Sequence, residues 1–71
     1  ISKSGVFTIG IYDILGHFIT NLIENEFKES GSFDAHWDGT DLPSGVYFYK
    51  IQGLFTDGTQ ASITKKILLL K

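Results

Sequence analysis

Residues 37–49 constrain this chain more than any other stretch: Trp37-Asp38-Gly39-Thr40-Asp41-Leu42-Pro43-Ser44-Gly45-Val46-Tyr47-Phe48-Tyr49. Trp37, the only tryptophan, carries the largest single apolar surface in the sequence. Asp38-Gly39 and Pro43-Ser44-Gly45 break the backbone on either side of a short polar loop, because Asp bonds the chain ahead of it, Pro fixes φ and Gly tolerates positive φ. Val46-Tyr47-Phe48-Tyr49 is β-branched and aromatic, a composition that suits a half-buried pleated surface. The stretch reads as strand, tight loop, strand. Residues before it supply hairpin partners and residues after it the closing strand.

The flanking sequence follows the same logic. Ser2-Lys3-Ser4-Gly5 is a polar turn, and Phe7, Ile9 and Ile11 then fall on one face at period two, which predicts a strand. Asp13-Ile14-Leu15-Gly16 is a turn, and residues 17–23 form the hairpin partner, with Ile19 and Leu22 inward and a twist or bulge between them. Residues 24–31 are polar and acidic without an apolar face and read as a loop. Phe33, Ala35 and Trp37 alternate with Asp34 and His36, which predicts a half-buried strand over residues 32–37. Residues 45–52 make a central strand with Tyr47, Tyr49 and Ile51 on one face and Val46, Phe48 and Lys50 on the other. Gly53 reads as a bulge or bend. Asp57-Gly58 sits at the middle of a two-residue hairpin, where both central positions need positive φ. Residues 60–70 return as the last strand, whose apolar end must be paired and packed, while Lys65, Lys66 and Lys71 discourage edge-to-edge association.

A chain of 71 residues holds one domain and buries only about 60% of its unfolded surface, so its core is marginal. It has no cysteine, hence no disulfide and no thiolate site. A net charge of −2 gives no basis for nucleic acid or an anionic membrane as partner. No apolar run reaches the roughly 18 residues of a membrane-spanning helix. The chain starts at Ile1 without a signal peptide, which suggests a piece of something longer, with Ile1 as the tail of a strand begun upstream. Short antiparallel strands separated by turns, about six of them, predict an all-β, two-layer antiparallel sandwich, with a small barrel as the alternative.

No residue set predicts chemistry. Asp34, Asp38 and Asp41 suggest calcium, but such a site needs six or more oxygens around one point and the spacing is that of a turn. His17 and His36 lack the paired spacing and the cysteines of a zinc site. Glu24, Glu26 and Asp38 have no pocket-forming segment around them, and neither a nucleophile elbow nor a phosphate-cradling loop is present. No cofactor, metal or catalytic residue is expected. Trp37, Tyr47, Phe48 and Tyr49 suit a sugar-stacking platform, yet alternating rings on a central strand read more naturally as core. Phe18 and Phe48, if exposed together, would make an apolar patch of the kind that marks partner sites.

Several segments carry a family resemblance: Ile11-Tyr12-Asp13-Ile14-Leu15-Gly16, Trp37-Asp38-Gly39, the run from Leu42 through Ile51 that contains Ser44-Gly45-Val46-Tyr47-Phe48-Tyr49, and the terminal Lys65-Lys66-Ile67-Leu68-Leu69-Leu70-Lys71. In this order they resemble a type IX secretion C-terminal sorting domain over nearly the whole chain. They are similar, almost as closely, to the immunoglobulin-like domain of the flagellar hook-capping protein, but the terminal lysine-plus-apolar segment favours the sorting domain. The resemblance implies an immunoglobulin-like β-sandwich, here short of its first strand, as a single C-terminal domain over residues 1–71 of a larger protein. It further implies a non-catalytic signal that takes an upstream passenger from the periplasm of a Gram-negative bacterium across the outer membrane. The implied partners are the outer-membrane translocon and a surface sortase, with no nucleic acid and no membrane insertion. In that family the signal lies in the two motif strands, which here are Gly45, Val46, Tyr47, Tyr49, Lys50, Lys65, Lys66, Ile67, Leu69 and Lys71. The sequence departs from the family in a longer hairpin over residues 53–60 and in lacking the usual N-terminal Asn-Pro-rich segment. The alternative function is an immunoglobulin-like spacer or accessory module, including a carbohydrate-binding one.

Overall fold

The computed structural model describes residues 3–70 and folds them as one antiparallel sheet of four strands. These are β1 (Gly5–Tyr12), β2 (Phe18–Lys28), β3 (Gly45–Phe55) and β4 (Gln60–Leu69), in spatial order β2-β1-β3-β4. The all-β, antiparallel expectation holds. One open sheet of four strands stands where about six strands in two sheets are expected. The expectations placed on Ile1 and Lys71 lie outside the described residues.

β1 is interior because its apolar period is uninterrupted. Phe7, Ile9 and Ile11 are buried, Ile11 completely. β1 pairs with β3 without a register break from Gly5↔Phe55 to Tyr12↔Phe48, and β3 pairs with β4 as regularly from Gly45↔Leu69 to Leu54↔Gln60. Cross-strand partners share a face. The inner face therefore carries Phe7, Ile9 and Ile11 on β1, Tyr47, Tyr49 and Ile51 on β3, and Ile67 and Leu69 on β4.

β2 is longer than its pattern suggests. It continues through Glu24, Asn25, Glu26 and Phe27 to Lys28, where a loop is expected. Its register against β1 shifts at three places, each one exchanging the inward and outward sets. Leu22 and Ile19 are consequently only half-buried, and Ile23 takes the core position opposite Ile9. Asn25 adopts φ 49° at one shift, its N–H donating to Thr8 Oγ1 at 3.1 Å.

The turns follow the sequence in kind. Asp13 Oδ1 accepts from the backbone N–H of Leu15 at 2.9 Å and of His17 at 2.8 Å, and Gly16 supplies the positive φ of 84°. The β3–β4 connection departs from the two-residue expectation. Phe55 N–H donates to Thr59 O at 2.8 Å and Gly58 N–H to Phe55 O at 3.0 Å, which closes a loop over residues 56–58. Gly58 takes φ 88° while Asp57 stays at negative φ. One left-handed position suffices for this longer loop, and Asp57 is left free to accept from Thr59 N–H (3.0 Å), Thr59 Oγ1 (2.6 Å) and Lys3 Nζ (2.9 Å).

Two further expectations are corrected. Gly53 is not a bulge but lies in an unbroken ladder between Phe7 and Ala61. A Cβ there would stand 2.7 Å from Phe7 Cε1, so the glycine makes room for the ring above it. Residues 32–37 form no strand. They run as an extended strap over the inner face, with Phe33 against Phe7 (centroids 5.8 Å apart) and Trp37 against Tyr47 (5.2 Å). The strap supplies the second layer with side chains instead of ladder hydrogen bonds, and Ala35 remains exposed.

Candidate functional site

The two segments singled out as signal are neighbours in space. β3 and β4 place Gly45 opposite Leu69, Val46 opposite Leu68, Tyr47 opposite Ile67, Phe48 opposite Lys66, Tyr49 opposite Lys65 and Lys50 opposite Thr64. Gly45, Tyr47, Tyr49, Lys65, Ile67 and Leu69 therefore lie on the inner face, and Val46, Lys50 and Lys66 on the outer. Lys71 is outside the described residues.

The strap clamps the inner side of this hairpin. Trp37 meets the Tyr47 ring edge-on at an interplanar angle of 68°, a favoured aromatic geometry. Tyr47 is buried, and its hydroxyl donates to the Pro43 carbonyl at 2.7 Å. Gly39 packs on Leu69: a Cβ at this position would come within 3.0 Å of both Leu69 methyls. The intervening loop is pinned by Leu42 N–H donating to Gly39 O at 3.0 Å and by Asp38 Oδ1, which accepts from Thr40 N–H at 3.0 Å and from Thr40 Oγ1. The Trp-Asp-Gly, Ser-Gly-Val-Tyr and terminal lysine-plus-apolar segments thus meet at one end of the sheet. Trp37 and Gly39 were not among the expected signal residues. The adjacent Asp-Gly turn marks them in sequence, but the contacts of Trp37 with Tyr47 and of Gly39 with Leu69 depend on the strap crossing the sheet.

Between strap and sheet lies a groove of about 600 Å³, lined by Ile9, Leu22, Phe33, Trp37, Tyr49 and Ile67 among others. Its walls are mostly apolar, with Ser32 and Tyr49 the residues that bring hydroxyls, and hold no titratable cluster. Among the described residues no three His, Cys, Asp or Glu side chains converge, and no helix is long and apolar enough to cross a membrane. Asp34, Asp41 and His36 are exposed. His17 Nδ1 lies 3.3 Å from Asp13 Oδ2 at the β1–β2 turn, and Glu26 is paired with Lys28 at 3.6 Å. The ring platform expected of a sugar site is dismantled by the packing: Tyr47 is buried, Trp37 sits edge-on against it, and Phe48 points to the opposite face from Tyr47 and Tyr49.

The outer face carries a different row. Phe18, Tyr12, Phe48 and Lys66 are successive cross-strand partners over all four strands. Phe18 is 57% exposed and stacks edge-on with Tyr12 at 5.7 Å, while Phe48 is half-buried beside them. The condition set for an apolar patch, joint exposure of Phe18 and Phe48, is met at Phe18 only; Tyr12 lies between the two rings.

Residues 1–70 match the sequence model of the secretion system C-terminal sorting domain family. The match covers nearly the whole chain, and the protein belongs to that family, acting as a C-terminal sorting signal for type IX secretion. Such a signal belongs to secreted or cell-surface proteins, and the family is non-catalytic. No curated protein and no solved structure matches the chain.

Proposed function

We propose that the β3–β4 hairpin is the part of this sorting domain that the outer-membrane translocon reads, with Gly45, Val46, Tyr47, Tyr49, Lys50, Lys65, Lys66, Ile67, Leu69 and Lys71 as the recognised set. The domain ends a larger polypeptide, directs its passenger from the periplasm of a Gram-negative cell across the outer membrane, and is handed to a surface sortase that anchors the passenger. The observation that carries this reading is the unbroken register that joins the two motif strands into one hairpin, clamped at its open end by Trp37 on Tyr47 and by Gly39 on Leu69. A signal made of two separate segments requires such a scaffold to be presented as one surface. The hydrogen bond from Tyr47 to the Pro43 carbonyl has the form of the tyrosine corner of immunoglobulin-like sandwiches, which supports descent of this sheet from that fold.

The test is export of the intact passenger protein in a type IX-competent cell. Removing residues 65–71 strips β4 of its lysines and its apolar end, and the expected result is passenger retained in the periplasm. Surface delivery at the wild-type level after this deletion would refute the assignment.

A further inference from the structure

We infer that the outer edge of β4 is a docking edge for an extended strand of the recognising partner, one bearing adjacent acidic residues at its centre. The inference rests on the proposed role of the β3–β4 hairpin and specifies how that hairpin is read.

β4 is the last strand of the sheet, and among the described residues no element lies beyond it. Its outward backbone groups are identifiable. The hairpin closes on the hydrogen-bonded pair Phe55/Thr59. In an antiparallel ladder hydrogen-bonded and non-hydrogen-bonded pairs alternate. With the register unbroken, Ala61, Ile63, Lys65, Ile67 and Leu69 turn their N–H and C=O groups toward β3. Gln60, Ser62, Thr64, Lys66 and Leu68 turn theirs outward. The result is a straight ten-residue edge without bulge or proline, the template to which an extended peptide adds by main-chain hydrogen bonds.

The charge on that edge selects the occupant. Lys65 and Lys66 are exposed, point to opposite faces at the middle of β4, and have no ion-pair partner among the described residues; their cross-strand neighbours are Tyr49 and Phe48. Lys50 adds a third cation on the outer face, diagonal to Lys66. A strand added here places two consecutive residues against Lys65 and Lys66, and opposite charges at such positions stabilise the pairing whereas like charges oppose it. Exposed Ile63, on the same face as Lys65, asks for an apolar neighbour. A second copy of this chain fits poorly. Its own β4 would set lysine against lysine. Its acidic edge, β2 with Glu24 and Glu26, is interrupted by three register shifts and by the positive φ of Asn25, devices that blunt an edge.

Two measurements on the full-length passenger protein test this. Thr64→Pro removes an outward N–H and no ladder bond, a place where an edge strand accepts proline. Thr64→Pro and the double change Lys65→Glu/Lys66→Glu are expected to lower export by about tenfold or more, while Lys65→Arg/Lys66→Arg exports normally. Hydrogen exchange supplies the direct readout. The peptide Val-Thr-Val-Glu-Glu-Val-Thr-Val slows exchange across β4, its Lys-Lys counterpart does not, and Thr64→Pro abolishes the slowing while β1 and β3 keep their protection. Wild-type export by both variants, absence of slowing, equal slowing by the two peptides, or concentration-dependent self-pairing through β4 overturns strand addition. If the 65–71 deletion still blocks export in that case, the hairpin remains the recognised element and only this mode of reading it falls. If the deletion also exports normally, both readings fall.

Discussion

At the residue scale, the glycines show how a single position can be read correctly as unusual and wrongly as to cause. Gly53 interrupts an aromatic strand, and an interior strand glycine marks either a bulge or a close approach of another group. Sequence does not separate these, because the group that approaches, Phe7, belongs to β1 and becomes a neighbour only through the β1–β3 register. The structure decides for close approach. Gly53→Ala would press a methyl to 2.7 Å from the buried Phe7 ring, which is itself hemmed in by Phe33 and Phe55. Overpacking of this kind costs about 1–3 kcal/mol. The expected outcome is a lower urea midpoint with an unchanged slope, and an unchanged midpoint would show that Phe7 does not cover the glycine.

At the element scale, the hairpin turns are held by Asp13 and Asp57, whose hydrogen bonds are strongest when the carboxylates are ionised. Asp57 is held well below its ordinary value of 3.8 by the Thr59 hydroxyl first, then by the Thr59 N–H and Lys3. Asp13 is lowered by the N–H of His17 first, against a smaller opposing effect of burial, with Leu15 N–H and the His17 ring adding to it. A carboxylate whose folded value is depressed contributes stability that is fully present above its unfolded value and is lost as pH falls toward the folded one. Stability is therefore expected to hold down to about pH 4 and to decline below it. The double variant Asp13→Asn/Asp57→Asn is expected to start lower and to lose less below that point. Thermal unfolding followed over a pH series checks this, and parallel curves for the two proteins would remove the turns as its source. These same turns were legible because Asp and Gly act locally. β1 was legible because period two survives in it, β3 because its composition is β-branched and aromatic, and β4 because a local turn returns the chain into an apolar run. β2 was legible only as far as Ile23, since every register shift exchanges its faces. The strap read as a strand because Phe33, Ala35 and Trp37 do alternate; what it lacks is a ladder partner, and alternation carries no information about that.

At the scale of the whole molecule, the sheet has one covered face and one open face, and this asymmetry explains both what could be foreseen of the site and what could not. The pairing of the Ser-Gly-Val-Tyr strand with the terminal lysine-plus-apolar strand was foreseeable from their adjacency around one turn. The division of Lys65 from Lys66 between the two faces follows from period two alone. Coverage is a global property, and Leu54 and Leu68 on the outer face look in sequence just like Ile9 and Ile11 on the inner. The structure separates them: Leu54 and Leu68 are 50% and 60% exposed, whereas Ile11 is fully buried. Replacing Ile11 by Ala leaves a cavity between β3 and β2 and is expected to cost about 2–5 kcal/mol. Leu54→Thr and Leu68→Thr put a β-branched side chain, which suits a strand, on a pleated surface that already faces water, and each is expected to change stability by no more than about 0.5 kcal/mol. Urea denaturation of the three variants side by side measures the contrast. Comparable losses at Leu54 and Ile11 would mean that the outer face is packed as tightly as the inner one, and the single-sheet architecture would have to be abandoned for a second layer on that side.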